Sequence, residues 1–361
     1  MNTHLRYGVI GTGMMGIEHI GNILSLDDTS VTAIADTDPH SREQGLAAAG
    51  PGTAVYTDYR DLLADDDVDA VVVVTPNFTH IEVMKDVIAS GKHVLCEKPL
   101  CITTEECTTL IELAEGYPGV IWVGLEYRYM PAVQALIDEV HKGTVGEVKM
   151  VAIREHRFPF LVKVGDWNRF SRNTGGTLVE KTCHYFDLMN LIIQRKPVRV
   201  YASGNQDVNH LDEVYGGETS DILDNAFVVV DYEGGARAML DLCMFAEATK
   251  DQEELSVVGQ LGKLDARVPS SELHVGIRSG EGLPDIGKVE TRHIVNDEIR
   301  YEGLHHGSSY LEHVDFAEAI RTGSEAGVTL QDGRLAVAIG EAAHRSIEEG
   351  RPVRLDELLP D

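Results

Sequence analysis

The 361-residue sequence predicts an α/β chain in two parts, residues 1–125 forming a doubly wound parallel sheet and residues 126–361 an α+β unit with a mainly antiparallel sheet. Three observations carry this. Short β-branched runs alternate with helical spacing in the first third. A glycine-rich turn joins the first strand to the first helix. After Arg128-Tyr129-Met130-Pro131 the rhythm changes to strands that follow one another without intervening helices, as in a separate α+β domain.

The elements follow in order. Leu5 to Ile10 reads as a buried strand that empties into Gly11-Thr12-Gly13-Met14-Met15-Gly16. Met14 to Leu26 has helical apolar spacing, and Val31 to Ala35 is a second strand ending at Asp36. Strand, GxGxxG, helix, strand and acid in that order make a dinucleotide cradle. Gly11 permits the tight turn, Gly13 lets backbone approach a pyrophosphate, and Gly16 lets helix and strand pack closely. The pyrophosphate lies on the free N–H groups of the helix start. Asp36 accepts hydrogen bonds from the adenosine ribose, and a 2′-phosphate there faces both Asp36 and Asp38. NAD is therefore expected over NADP, with Arg42 the one nearby cation that argues otherwise.

Val68 to Thr75 is a continuous β-branched run, as a parallel strand covered on both faces requires. It stops at Thr75-Pro76-Asn77, and a helix begins near Thr79-His80. His93 to Glu97 is the next strand. Thr103 and Glu106 then offer a capping box for a helix to about Glu115, and Ile121 to Leu125 is a further strand. Ligands of such sheets sit beyond the carboxyl ends of the strands. Cys96-Glu97-Lys98-Pro99-Leu100 lies at one of those ends, where the proline holds Lys98 extended at the rim of the sheet. A solvated lysine at a strand-to-loop junction is the plainer reading, and the position at the cofactor crevice favours function.

In the second part, Ala132 to His141 reads as a helix. Val148 to His156, Val198 to Gly204, Ala226 to Tyr232, Ala236 to Leu242 and Glu254 to Gly259 read as strands, two of them linked by the hairpin-like Tyr232-Glu233-Gly234-Gly235. Asn205 to Asp224 and Ser279 to Gly303 read as long loops or arms. Gly175 and Gly176 precede a helical stretch in which Glu180, His184 and Asp187 fall at i, i+4 and i+7, on one stripe. Three uses compete for that stripe: a hydrogen-bonded structural row, a metal site, or an acid/base pair facing the crevice.

Composition narrows the function classes. Thirty-one basic residues against fifty-nine acidic ones leave a net charge of −28, a field that repels nucleic acid and anionic membranes. Five cysteines without a CxxC pair point away from a disulfide framework or zinc ribbon and toward a reducing compartment. With no signal-peptide pattern at the N-terminus and no apolar run of membrane-spanning length, a cytoplasmic protein is expected.

GTGMMG, Asp36, VVVVTPNFTH, GKHVLCEKPL, VGLEYRYMP, GGTLVEKTCHYFDL and the C-terminal HGSSYLEHVDFAEAIRTG…EAAHRSIEEGRPV together resemble the Gfo/Idh/MocA family, the glucose–fructose oxidoreductases and inositol dehydrogenases. The likeness runs from residue 5 to residue 354. It implies a Rossmann domain, then an open-faced sheet often used for dimer or tetramer contacts. It implies that Lys98 is the catalytic lysine, commonly before a cis bond to Pro99, and that His184 is the catalytic histidine. Glu180 stands where aspartate is common, Lys181 where glycine is usual and Glu126 where asparagine is usual. Thr75, Pro76, Asn77 and His80 match the segment beside the nicotinamide ribose.

The expected activity is NAD-dependent oxidation of a ring hydroxyl of a sugar, glycoside or cyclitol. His184 takes the proton, Glu180 orients it, and Lys98 polarises the oxygen. The expected cofactor contacts are Gly11, Thr12, Gly13, Met14, Met15, Gly16, Asp36, Thr75, Pro76, Asn77, His80, Glu97, Lys98 and Glu126. Substrate contacts are expected from Lys98, Arg128, His156, Asp166, Trp167, Asn168, Arg169, Glu180 and His184, with no metal. Two rivals remain: glycoside cleavage through transient oxidation with recycled NAD, and a non-catalytic NAD- or sugar-binding regulator. A homodimer or homotetramer is expected.

Overall fold

The computed structural model describes residues 4–278 and 289–359. Six parallel strands form the first sheet: β1 (Leu5–Ile10), β2 (Thr29–Ala35), β3 (Ala54–Tyr56), β4 (Ala70–Val73), β5 (His93–Glu97) and β6 (Ile121–Gly124). Their order is β3-β2-β1-β4-β5-β6, so the chain reverses direction across the sheet between β1 and β4. That switch point opens a crevice at the strand ends. Helices α1 (Met14–Leu24), α2 (Pro39–Ala49), α3 (Tyr59–Leu63), α4 (His80–Ser90) and α5 (Thr104–Leu113) connect the strands. Every residue of β4 is buried, which is why its run is uninterrupted valine and alanine. Only Ala70–Val73 of the expected Val68–Thr75 is strand; Thr75 to Asn77 turn away to enter the site.

After α6 (Pro131–His141) comes β7 (Val148–His156), then the short helices α7 (Ser171–Thr174) and α8 (Thr177–Glu180), and α9 (Cys183–Ile193). The rest of the second sheet is β8 (Pro197–Asn205), β11 (Asn225–Tyr232), β12 (Arg237–Cys243), β13 (Glu253–Gly259), β14 (Gly262–Val268), β15 (Glu272–Ile277), β16 (Val289–His293) and β17 (Val353–Arg354). A separate two-stranded hairpin, β9 (Val214–Tyr215) with β10 (Glu218–Thr219), lies inside the acidic stretch. The nine strands run in the order β16-β15-β14-β13-β7-β12-β11-β8-β17 and pair antiparallel except for the parallel β7–β12 pair. The polar stretch from Ser279 to Gly303 is expected to be a long loop or arm. Within it, Val289–His293 instead pairs with β15 as an edge strand, its charged residues facing solvent. Residues 279–288 of that expectation lie outside the described residues.

Strict alternation gives this sheet two unlike faces. Val151, Ile153 and Glu155 of β7 point inward, toward α9, while Met150, Arg154 and His156 point out. Two C-terminal helices, α10 (Ser308–Thr322) and α11 (Leu330–Glu349), return to the first sheet. α11 packs on α9 and β8 on one side and on α5 and β6 on the other, so it joins the two sheets. It lies close to α8: a Cβ on Gly340 would sit 2.3 Å from the Leu178 carbonyl oxygen.

Candidate active site

The crevice beyond the ends of β1, β2, β4 and β5 is a cleft of about 1360 Å³, counting the solvent at its mouth. Gly11 turns with φ +97°, and a Cβ there would lie 2.5 Å from the Val74 carbonyl oxygen, so β1 and β4 approach as only glycine permits. Gly16 is packed harder: a Cβ would come within 2.1 Å of the Gly11 oxygen. Gly13, the N-cap of α1, has nothing within 4 Å of its missing side chain and lines the cleft. The first turn of α1 lacks a side-chain cap, which leaves its N–H groups for a ligand.

At the end of β2, Asp36 accepts hydrogen bonds from the Thr12 backbone N–H at 2.7 Å and the Asp38 N–H at 2.8 Å. The Asp38 carboxylate caps α2 by accepting from Ser41 N–H, which holds its carboxyl below the ordinary aspartate value. Arg42 donates to the Asp36 carbonyl oxygen at 2.6 Å and does not line the cleft. An open glycine cradle with a carboxylate at the far rim fits a dinucleotide with a free ribose.

The opposite end of the cleft is lined by Asn77, Glu97, Lys98, Lys163, Trp167 and Glu180. The Lys98–Pro99 peptide is cis. The Lys98 ammonium donates to the Glu180 carbonyl oxygen at 3.1 Å, and its backbone N–H donates to Glu97 at 2.9 Å. Burial opposes its charge, but Cys183, Glu97, Glu180 and Glu126 outweigh that and hold it above the usual lysine value. Burial also works against the Glu97 carboxylate; the His19 ring, 2.9 Å away, and Lys98 keep it low. Glu180 is pushed up by burial, with Lys98 and Lys163 pulling back.

His184 is one layer deeper. Its ring stacks on Tyr127 at 3.9 Å and 7°, its Nε2 is 3.8 Å from Glu126 Oε1, and its buried Nδ1 finds no hydrogen-bond partner among the described residues. Burial, then Lys98 and Lys181, press its pKa well below the usual histidine value, so the ring is neutral. Lys181 donates to the Tyr127 hydroxyl at 2.6 Å and pairs with Glu155 at 3.0 Å. The expected single stripe is corrected here. The helix breaks at Lys181-Thr182, between α8 and α9, and Asp187 turns away to a buried two-point pair with Arg128, at 2.6 and 2.5 Å.

Of the residues expected at the site, the cleft gathers Gly11, Gly13, Met14, Met15, Asp36, Thr75, Pro76, Asn77, Glu97, Lys98, Trp167 and Glu180. The others serve from behind or elsewhere. Thr12 is buried, its hydroxyl donating to the Ser41 carbonyl. His80 is buried with its two ring nitrogens 2.9 Å from the Pro99 and Thr75 carbonyl oxygens, tying β4's exit to the Lys98 turn. Arg128 is consumed by Asp187. His156 lies on the outer face of the sheet beside Asp241, the consequence of odd–even parity with Glu155. Asn168 and Arg169 are buried, donating to the Leu161 oxygen and to Glu213, and shape the loop that carries Trp167. Asp166 sits in that loop with φ +52° and does not line the cleft. Lys163 was missed; a lone lysine in an apolar loop, FPFLVKVGDW, carries no periodic signal.

A glycine cradle at the switch point, with a lysine and carboxylates at its inner end, defines a nicotinamide-dependent oxidoreductase. Residues 5–125 match the oxidoreductase family's NAD-binding Rossmann fold, and residues 137–355 match its C-terminal alpha/beta domain. The chain belongs to the Gfo/Idh/MocA family and is an NAD-binding oxidoreductase. It is 30% identical to the myo-inositol 2-dehydrogenase of Thermotoga maritima, over 98% of this chain and 100% of that protein. It is 26% identical to the inositol 2-dehydrogenase of Rhizobium meliloti, over 97% and 99%. A levoglucosan dehydrogenase solved with NADH shares the fold, with a TM-score of 0.85 at 20% identity over 98% of this chain and 99% of that one. Among the described residues, no helix is long and apolar enough to cross a membrane.

Proposed function

We propose that the protein oxidises a ring secondary hydroxyl of a cyclitol or sugar with NAD, a cyclitol being favoured by the inositol 2-dehydrogenases it resembles end to end. The observation that carries the reading is Lys98, placed between Glu97 and Glu180 at the inner end of a dinucleotide cleft. Gly11, Gly13, Met14 and Asp36 would hold the pyrophosphate and adenosine ribose, and Thr75 to Asn77 the nicotinamide half. NAD, when bound, supplies the hydride acceptor. Lys98 donates to the reacting oxygen and stabilises the developing alkoxide. Neutral His184, with a free Nδ1, accepts the hydroxyl proton. Glu180 fixes the hydroxyl beside Lys98, and Trp167 offers an apolar face to the ring.

A second assignment of the base is favoured by one observation: Glu180 lines the cleft and His184 does not. Glu180→Gln separates the two. With His184 as base it keeps the acid limb of the rate profile, and with Glu180 as base it abolishes that limb.

NADH formation at 340 nm over a panel of inositols, monosaccharides and glycosides tests the activity. Net NADH with a cyclitol or sugar is expected. Aglycone release without net NADH would instead indicate redox-assisted cleavage, and binding without turnover a regulator. The division of labour belongs to the same proposal, with residues 1–125 holding NAD and residues 126–361 the substrate and the subunit contact.

A further inference from the structure

We propose that Glu126 and His305 form a proton exit behind His184, leading the proton of the oxidised hydroxyl to a surface other than the substrate cleft. This rests on His184 being the acceptor.

Glu126 Oε1 lies 3.8 Å from His184 Nε2 and 3.8 Å from His305 Nδ1, bridging the two rings. Glu126 Oε2, His184 Nδ1 and His305 Nδ1 are all buried and find no hydrogen-bond partner among the described residues. A cluster kept only for stability would be closed by hydrogen bonds, because unpaired buried polar groups are costly. This one stands about 1 Å short of closure on each side, the looseness that proton-transfer sites show before substrate tightens them. The line also runs outward. The His184 and Glu126 side chains are 1% and 2% exposed, whereas His305 is 23% exposed and does not line the cleft. Its neighbours Glu302, Gly303, Leu304 and His306 are exposed as well.

The surroundings suit transfer. Lys98, Lys181 and Arg157 bear on both rings, Glu97 faces His305, and Tyr127 stacks on His184. Burial, then Lys181, holds His305 down at about 3, while burial and Glu97 push Glu126 up to about 8. Both rings are thus neutral at neutral pH, and the carboxyl between them can lose or gain a proton there. As the hydroxyl O–H bond breaks and the hydride leaves carbon, His184 Nδ1 takes the proton and Nε2 gives its own to Glu126. Glu126 passes one proton to His305 Nδ1, and His305 releases one from Nε2 to water. Each ring ends as the other tautomer, and exchange with water restores it between turnovers.

Two measurements on the full chain test this. The first needs no substrate: in ¹⁵N-histidine-labelled protein, Glu126→Gln should change the tautomer balance of both His184 and His305. Unmoved signals from either ring would overturn the relay. The second follows a single turnover with NADH absorbance and a pH indicator together. His305→Ala should delay proton release behind NADH by about 10²-fold, the low end of what a positioned proton carrier contributes. Added imidazole should restore it, and should not restore Glu126→Gln. Synchronous release in His305→Ala, or in His305→Gln should the alanine variant unfold, overturns the exit. Unchanged hydride transfer in His184→Ala would sink the base assignment instead, and the labelled-histidine result would still report on the contact.

Discussion

Lys98 is the residue proposed to carry the chemistry, its ammonium held at the cleft by one carbonyl oxygen and surrounded by carboxylates. Lys98→Ala should lower turnover by about 10²–10³-fold, the usual cost of losing one oxyanion-stabilising donor, with NAD affinity nearly unchanged. The double variant with His184→Ala should lose less than the two single losses combined, because groups acting as one unit are not additive. Turnover within a few-fold of wild type would return Lys98 to a structural role. Glu126 gives a second residue-scale test, this time on stability. Burial and Glu97 raise its carboxyl from 4.5 to about 8. Between those values the folded state holds a proton that the unfolded state has lost, so this group's contribution falls as pH rises from about 5 to about 8. Glu126→Gln lacks that loss. Its melting temperature relative to wild type should therefore climb across the window, and a flat difference in calorimetry would show that Glu126 is ionised throughout.

At the scale of elements, the β1–α1–β2 unit belongs to the NAD-binding Rossmann fold, and the proposed selectivity for NAD lies at the end of β2. Asp36 is fixed by the Thr12 and Asp38 N–H groups, and Arg42 is drawn onto the Asp36 carbonyl instead of standing free for a phosphate. NAD should bind more tightly than NADP, and Asp36→Ala should narrow the gap in fluorescence titrations of the two. A wild type that prefers NADP would transfer the deciding role to Arg42. The α8–α9 break has an equally local cause. Gly176 caps α8 with φ +83°, and His344 of α11 accepts from the Leu178 N–H at 3.0 Å, so four residues are pinned before the chain restarts at Cys183. That pinning brings the Glu180 carbonyl to Lys98.

Across the whole molecule, the described residues place helices on one face of the second sheet only. Its outer face presents Met150, Tyr201 and Phe227 at 54%, 49% and 59% exposure, with Val229 and Met239 between them on adjacent strands. A contiguous apolar patch of this kind marks an interaction surface, and a second copy of the chain is the proposed occupant. Light scattering at micromolar concentration should give a dimer or tetramer, and Phe227→Asp should shift it toward monomer. A monomeric wild-type mass would remove the proposal.

What the sequence by itself determined is everything that local spacing encodes. The glycine cradle, the uninterrupted valines of β4, the Lys98 turn and the alternation of β7, β11 and β12 are properties of neighbours in the chain, so they were legible without tertiary contacts. Even there, β14 and β15 escaped notice although they alternate as cleanly as β13. The tertiary structure decided which polar side chains meet. Arg128 and Asp187, 59 positions apart, cancel each other in the core; His156 and Glu155, adjacent in sequence, go to opposite faces of the sheet; Lys163 enters the cleft from a loop without periodicity. Glu126 and His305 are 179 positions apart and meet only because the C-terminal segment returns to the first sheet. Periodicity specifies which way a residue points on its own element. Which other element lies in that direction is settled by packing, and this cleft and its surroundings are assembled from such long-range pairs.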